Sequence, residues 1–116
     1  MKLIIAIIRP EQLETVRAAL HEPEACLLCA SEVMGDGREP GFIEIYRGRE
    51  VRVPRPKLRL EIAVSDALVQ GTVEAISRAA STGVPGHRGH GNVFVMQLDG
   101  CIRIPGGPVG AEAFHN

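Results

Sequence analysis

The sequence predicts an α+β domain made of two β-α-β halves, and three observations predict it. Residues 2–8 are an unbroken aliphatic run, long enough for one strand and too short for a membrane span. Leu13, Val16 and Leu20, and later Val69, Val73, Ile76 and Ala80, recur at helical spacing. Between these helices, residues 57–64 alternate strictly: Leu58, Leu60, Ile62 and Val64 share one face, and Lys57, Arg59 and Glu61 the other.

Taken in order, residues 2–8 read as a strand buried on both faces. Pro10 suits the first turn of a helix, where its missing N–H costs nothing. Glu11 and Glu14 lie near the positive end of that helix, which is expected to end near His21–Pro23. Residues 25–34 are apolar-rich and form a second strand stopping at Gly35. After a long loop comes the alternating strand, then Asp66 as the expected N-cap of the second helix. Gly71 weakens that helix by roughly 1 kcal/mol relative to alanine, too little to abolish it. Residues 83–91 are a glycine-rich loop, 92–98 a last strand, and the Pro/Gly-rich tail from Pro105 is expected to be irregular. This order fits the ferredoxin-like β-α-β-β-α-β plan, an antiparallel sheet with both helices on one face. The first strand then leaves apolar surface on the bare face, which calls for a second copy to cover it.

Composition limits what such a domain does. The chain has 116 residues, enough for one domain with a modest core, and 45% of them are apolar. With no tryptophan, three phenylalanines and one tyrosine, the core is aliphatic. Thirteen basic residues against fourteen acidic ones leave a net charge of −1, which gives no electrostatic case for nucleic acid. The start lacks the features of a secretory signal, since Arg9, Pro10 and a charged helical pattern follow the apolar run. Cys26, Cys29 and Cys101 cannot all pair within one chain and read as reduced thiols, so the expected compartment is cytoplasmic.

Several motifs carry candidate chemistry. Gly35-Asp36-Gly37-Arg38 either brings backbone N–H groups and a cation to a phosphate or simply ends a strand in a turn. The loop beyond it contains a hairpin pattern about Arg47-Gly48. That hairpin either extends the sheet or is a finger carrying Arg38, Arg47, Arg49, Arg52 and Arg55 to a partner. Residues 83–91 form a second phosphate-loop candidate that does not match the P-loop signature. His87 and His90, with or without His115, are candidate metal ligands on that loop. Cys26-x-x-Cys29 resembles half a zinc or redox motif, but alternation on a strand places residues three apart on opposite faces, poor geometry for one metal. No Ser/His/Asp, Cys/His or paired-carboxylate arrangement points to catalysis.

Together these pieces resemble the PII nitrogen-regulatory signalling family over essentially the whole chain. The resemblance is carried by Ala6-Ile7-Ile8-Arg9-Pro10, Ser31-Glu32-Val33-Met34-Gly35-Asp36-Gly37-Arg38, Glu44-Ile45-Tyr46-Arg47-Gly48-Arg49-Glu50, Pro56-Lys57-Leu58-Arg59-Leu60-Glu61, Thr82-Gly83, Val93-Phe94-Val95 and Ile102-Arg103-Ile104. It implies a single domain over 1–116 that assembles as a homotrimer and binds adenine nucleotides in subunit clefts. A T-loop at about 36–56 would sense metabolites and dock onto a transporter or enzyme. A B-loop at about 82–92 and a C-terminal segment from about 101 complete the plan. By resemblance, Gly35, Gly37 and Arg38 line the nucleotide side of the T-loop base, and Gly86 and Gly91 are the phosphate-binding glycines of the B-loop. Arg103 would reach the phosphates from the C-terminal segment of a neighbour, and Lys57 would help to hold the metabolite.

The departures from the family pattern are specific. Val51 replaces the tyrosine that is uridylylated in many members, so that modification is not expected. Glu39 stands for the usual glutamine that helps to hold Mg²⁺ and 2-oxoglutarate, and a second carboxylate there repels a dianionic acid. Asn92 takes the place of the B-loop lysine, Pro105 that of a second arginine, and Cys29 that of a threonine near the base or sugar. Arg88 or His90 is placed to substitute from within a longer B-loop. Losing two cations weakens ATP most, which leaves ADP or AMP favoured or nucleotide binding lost. The expectation is a non-enzymatic regulator, with Arg47, Arg49, Val51 and Arg52 facing a partner. Bicarbonate or a metal bound by His87 and His90 are the other effectors to consider.

Overall fold

The computed structural model describes residues 1–35, 43–52, 54–81, 91–107, 109, 110 and 113. The aliphatic run is β1 (Lys2–Ile8). Pro10 opens a 3₁₀ turn, Pro10–Gln12, that leads into α1 (Leu13–Ala19). β2 (Ala25–Gly35) follows, then the short strands β3 (Ile43–Tyr46) and β4 (Arg49–Arg52). β5 (Arg55–Val64), α2 (Val69–Ala80) and β6 (Asn92–Gln97) complete the order.

The main sheet runs β2-β5-β1-β6 with every neighbouring pair antiparallel, which is the ferredoxin-like arrangement. Register explains the core. Ile4 lies opposite Ile62, Ala6 opposite Leu60 and Ile8 opposite Leu58, so these side chains share a face. All six are buried, and Val16 of α1 and Ile76 of α2 close over them. Each fully buried Ile or Leu contributes about 1.5–3 kcal/mol relative to exposure, so this layer is the main source of stability. Thr72 and Ala79 join the buried side of α2.

Among the described residues, no helix lies on the other face of the sheet. There Leu3 lies opposite Met96 and Ile5 opposite Phe94, and Phe94 and Met96 remain 51% and 50% exposed. The apolar surface expected from the two-sided character of β1 is therefore present.

Two expectations from sequence are corrected, and one open alternative is decided. Asp66 is not the N-cap. Ser65 occupies that position with extended backbone, and no side chain caps the turn Asp66–Leu68. The Asp66 carboxylate instead accepts a hydrogen bond from the Met1 amine at 2.8 Å. That bond, and then the amine's charge, hold the carboxyl below its ordinary range. A full positive charge is a better partner for a carboxylate than a backbone N–H.

Cys26 and Cys29 do not lie on opposite faces. The β2–β5 register shifts between Leu27 and Cys29, so Cys26 lies opposite Ala63 and Cys29 opposite Glu61. Leu28 is the extra residue of a β-bulge, and it cancels the alternation assumed for an unbroken strand. The sequence left open whether the hairpin about Arg47-Gly48 extends the sheet or stands apart as a finger. Among the described residues it pairs only with itself, as a separate two-stranded sheet with Tyr46 opposite Arg49, and does not extend the main sheet.

Candidate functional site

One end of the main sheet collects the termini that bear the candidate loops. β1 ends there at Ile8 opposite Leu58, near the start of β5. β2 ends there at Gly35, opposite Arg55, and β6 begins there at Asn92, opposite Ile7. The antiparallel topology alone thus brings Gly35, Lys57, Gly91 and Asn92 to a common edge.

Two glycines at this edge are required by close approach. A Cβ on Gly35 would sit 3.0 Å from Cγ and 3.3 Å from Cε of Lys57, so the lysine stem runs across the glycine. Lys57 is buried, 7% exposed, and is thereby aligned with the end of β2. Gly91 has φ +150, and a Cβ on it would lie 1.8 Å from the Ile7 carbonyl oxygen. No other residue allows the chain to enter β6 so close to β1. Beside it, a cavity of 280 Å³ opens between Ile7, Ile8, Ile76, Ala80, Gly91 and Asn92.

The remaining described candidates lie elsewhere. Cys29 is exposed, midway along β2. Slight desolvation, and then the charge and hydrogen bond of Glu61, push its thiol pKa up, while Arg59 opposes the rise. Arg103 follows β6, which leaves the sheet at the opposite end with Gln97 beside Lys2. Its Nε donates to the Ala113 carbonyl at 3.3 Å, and its stem lies against Gly107, where a Cβ would come within 2.9 Å. The C-terminal segment thus fixes this arginine at its base. On the hairpin, Arg47 and Arg49 flank the tip, and the Arg47 guanidinium stacks over the Tyr46 ring at 5.3 Å. Val51 is exposed and Arg52 ends β4. Gly37, Arg38, Glu39, Gly86, His87, Arg88 and His90 lie outside the described residues.

Sequence reasoning missed Arg9 as a site residue. It follows the last residue of β1 and pairs with Glu11 at 3.0 Å, while its Nε and Nη2 are buried with no hydrogen-bond partner among the described residues. A buried donor left unsatisfied costs about 1–3 kcal/mol, which makes this guanidinium a candidate for an acceptor at this end of the sheet. The signal was a cation directly after a buried strand and before a helix-opening proline, Arg9-Pro10. Ile7 was also missed, because its part is played by a backbone carbonyl.

Comparisons with known proteins identify the family. A match to the family described as Nitrogen regulatory protein P-II spans residues 1–107. The Nitrogen regulatory protein P-II of Rhizobium etli is 45% identical over 114 residues, covering 97% of this chain and 99% of the relative. Nitrogen regulatory protein GlnK1 of Methanosarcina mazei is 41% identical, with 97% of each chain covered. Nitrogen regulatory protein P-II of Rhodospirillum rubrum is 42% identical, covering 97% and 99%. Family match, near full-length identity and sheet order together establish that the chain belongs to the P-II nitrogen regulatory protein family.

Proposed function

We propose that this P-II protein is a cytoplasmic, homotrimeric, non-enzymatic sensor that binds ADP or AMP in preference to ATP in clefts between subunits. Through the loop 36–56 it regulates a partner, either a transporter or a metabolic enzyme. One observation carries the reading. Gly35, Lys57, Gly91 and Asn92 share one end of the sheet, while β6 runs to the opposite end before the chain reaches Arg103. A phosphate site that uses both sets closes only when a neighbouring copy supplies the second.

The residues present fit a nucleotide of lower charge. Glycines permit close backbone approach, Arg9 carries two buried N–H-bearing nitrogens with no partner among the described residues, and Lys57 adds a cation at the loop stem. Asn92 supplies no charge, and each charge-assisted phosphate contact contributes about 1.5–3 kcal/mol. A γ-phosphate loses most by that substitution.

The mechanism needs only a ligand with different affinities for two loop states. The β3–β4 hairpin is a two-stranded unit, which is marginally stable on its own, and it presents Ile45, 78% exposed, together with Tyr46 and Val51. Ordering of such an apolar, Arg-bearing tip against a partner supplies the output.

Titration calorimetry with ADP, AMP and ATP in parallel tests the reading. Micromolar binding of ADP at one nucleotide per subunit, weakened by Arg103→Ala and by Arg38→Ala, is the expected result. No heat and no thermal stabilisation with any of the three would remove nucleotide sensing from this protein.

A further inference from the structure

Three glycines follow Arg103 closely, and each is required for its own reason. Gly106 and Gly110 have φ +58 and +75, so backbone conformation favours glycine at both. Gly107 is not among the residues with positive φ. A Cβ on it would instead lie 2.9, 3.1 and 3.2 Å from Cβ, Cγ and Cδ of Arg103. Backbone contacts hold the two residues together. The Gly107 N–H donates to the Arg103 carbonyl at 2.7 Å, the Gly110 N–H donates to the Cys101 carbonyl at 2.8 Å, and Ile102 bridges Val109. Ala113, which is buried, then accepts a hydrogen bond from Arg103 Nε at 3.3 Å. We propose that the chain from Gly107 to Ala113 is a strap that orients the Arg103 guanidinium before its ligand arrives, with Gly107 as a positioning residue.

The inference rests on the reading of Arg103 as a phosphate-binding group, and the chemistry of the side chain explains why a strap helps. A guanidinium presents its N–H donors in a rigid planar fork. Engaging Nε fixes that plane and leaves the terminal amino groups for a bidentate contact with a phosphate. Arg103 is otherwise exposed, and a long side chain ordered only on binding loses much rotamer freedom. One ordered in advance loses less, and the ligand binds more tightly.

An alanine at 107 removes this advantage at its source. The atoms its methyl group meets belong to the near end of the arginine, so the stem itself must turn and Nε leaves the Ala113 carbonyl. A charged side chain at 113 acts from the other side, because the buried position does not accept it.

The test combines ADP titration of full-chain variants with the Arg103 Nε–H resonance of the nucleotide-free protein, assigned by its loss in Arg103→Ala. The wild type is expected to show slow Nε–H exchange with water. Gly107→Ala and Ala113→Asp are each expected to show fast exchange and to bind ADP about tenfold more weakly, with thermal melts confirming that both remain folded. Gly100→Ala, whose Cβ would meet nothing within 4 Å, is expected to match the wild type. Added to Arg103→Ala, Gly107→Ala should weaken ADP no further, because both act through one side chain. Unchanged ADP affinity in Gly107→Ala beside a loss in Arg103→Ala would overturn the strap and leave the nucleotide reading standing. So would a further loss in the double variant. Fast Nε–H exchange in the wild type would overturn the strap with no nucleotide present. Absence of ADP binding by the wild type would overturn the nucleotide reading itself, and the role of the strap with it.

Discussion

Single atoms decide much of this protein, and Gly91 is the sharpest case. A methyl group there would overlap the Ile7 carbonyl oxygen at 1.8 Å, at a backbone angle that side chains rarely adopt. Gly91→Ala is expected to destabilise the fold by at least about 2 kcal/mol, read as a lower denaturation midpoint with an unchanged slope. A midpoint equal to wild type would show that β6 enters the sheet elsewhere. Glu61 offers a second test, through pH. Desolvation, and then the charge and hydrogen bond of its carboxylate, raise the pKa of the Cys29 thiol against the opposing charge of Arg59, which disfavours the reactive thiolate. Glu61→Gln should lower that pKa toward the ordinary value and speed Cys29 alkylation at pH 8 a few-fold. The rate should still rise with pH in both proteins, and equal rates would exclude the carboxylate as the cause. The requirement at Gly91 was legible only as a glycine-rich loop, because the constraint comes from Ile7, far away in sequence. The side of the sheet taken by Cys29 was not legible at all, since one inserted residue reverses it.

Elements were legible where periodicity was strong. β1 and β5 declared themselves by an unbroken aliphatic run and by strict alternation, and their register follows from pairing Ile4, Ala6 and Ile8 with Ile62, Leu60 and Leu58. Caps and bulges were not legible, because they depend on which partner wins. Asp66 had a backbone N–H in prospect and took the Met1 amine. The hairpin at Arg47-Gly48 was readable from its two flanking runs, but not its separation from the main sheet. Its two-residue turn has φ 50 at Arg47 and φ 76 at Gly48, the combination of a tight hairpin turn that favours Asn-Gly. Arginine in that conformation carries strain that asparagine largely avoids. Arg47→Asn is therefore expected to stabilise the isolated hairpin by about 1 kcal/mol, seen as slower amide exchange in β3 and β4. The same substitution removes the guanidinium stacked on Tyr46, so partner docking should weaken while the hairpin tightens. Parallel changes in both would mean that hairpin order, not the arginine, limits docking.

The whole molecule has principal extents of 58 × 28 × 22 Å and a radius of gyration of 16.5 Å, against about 13 Å for a compact chain of this size. A helix layer covers one face of the sheet, and the other bears Leu3, Ile5, Ile7, Phe94 and Met96. An apolar face of this kind is stable in water only when covered. A charge at its centre should therefore separate copies: if the proposed homotrimer forms through this face, Phe94→Asp is expected to convert it to single chains in sedimentation. A cyclic, head-to-tail trimer makes a stronger demand, because each cleft takes different residues from its two sides. If Arg38 comes from one subunit and Arg103 from the next, Arg38→Ala and Arg103→Ala trimers each bind ADP poorly for complementary reasons. Refolding the two variants together at equal amounts yields mixed rings, and about a quarter of the clefts then pair an intact Arg38 with an intact Arg103. Those clefts should bind ADP with wild-type affinity. Recovery near that fraction would assign the two arginines to opposite sides of one cleft. No recovery, with mixing verified by mass, would place both within a single chain and require the C-terminal segment to turn back across the sheet to its own loops.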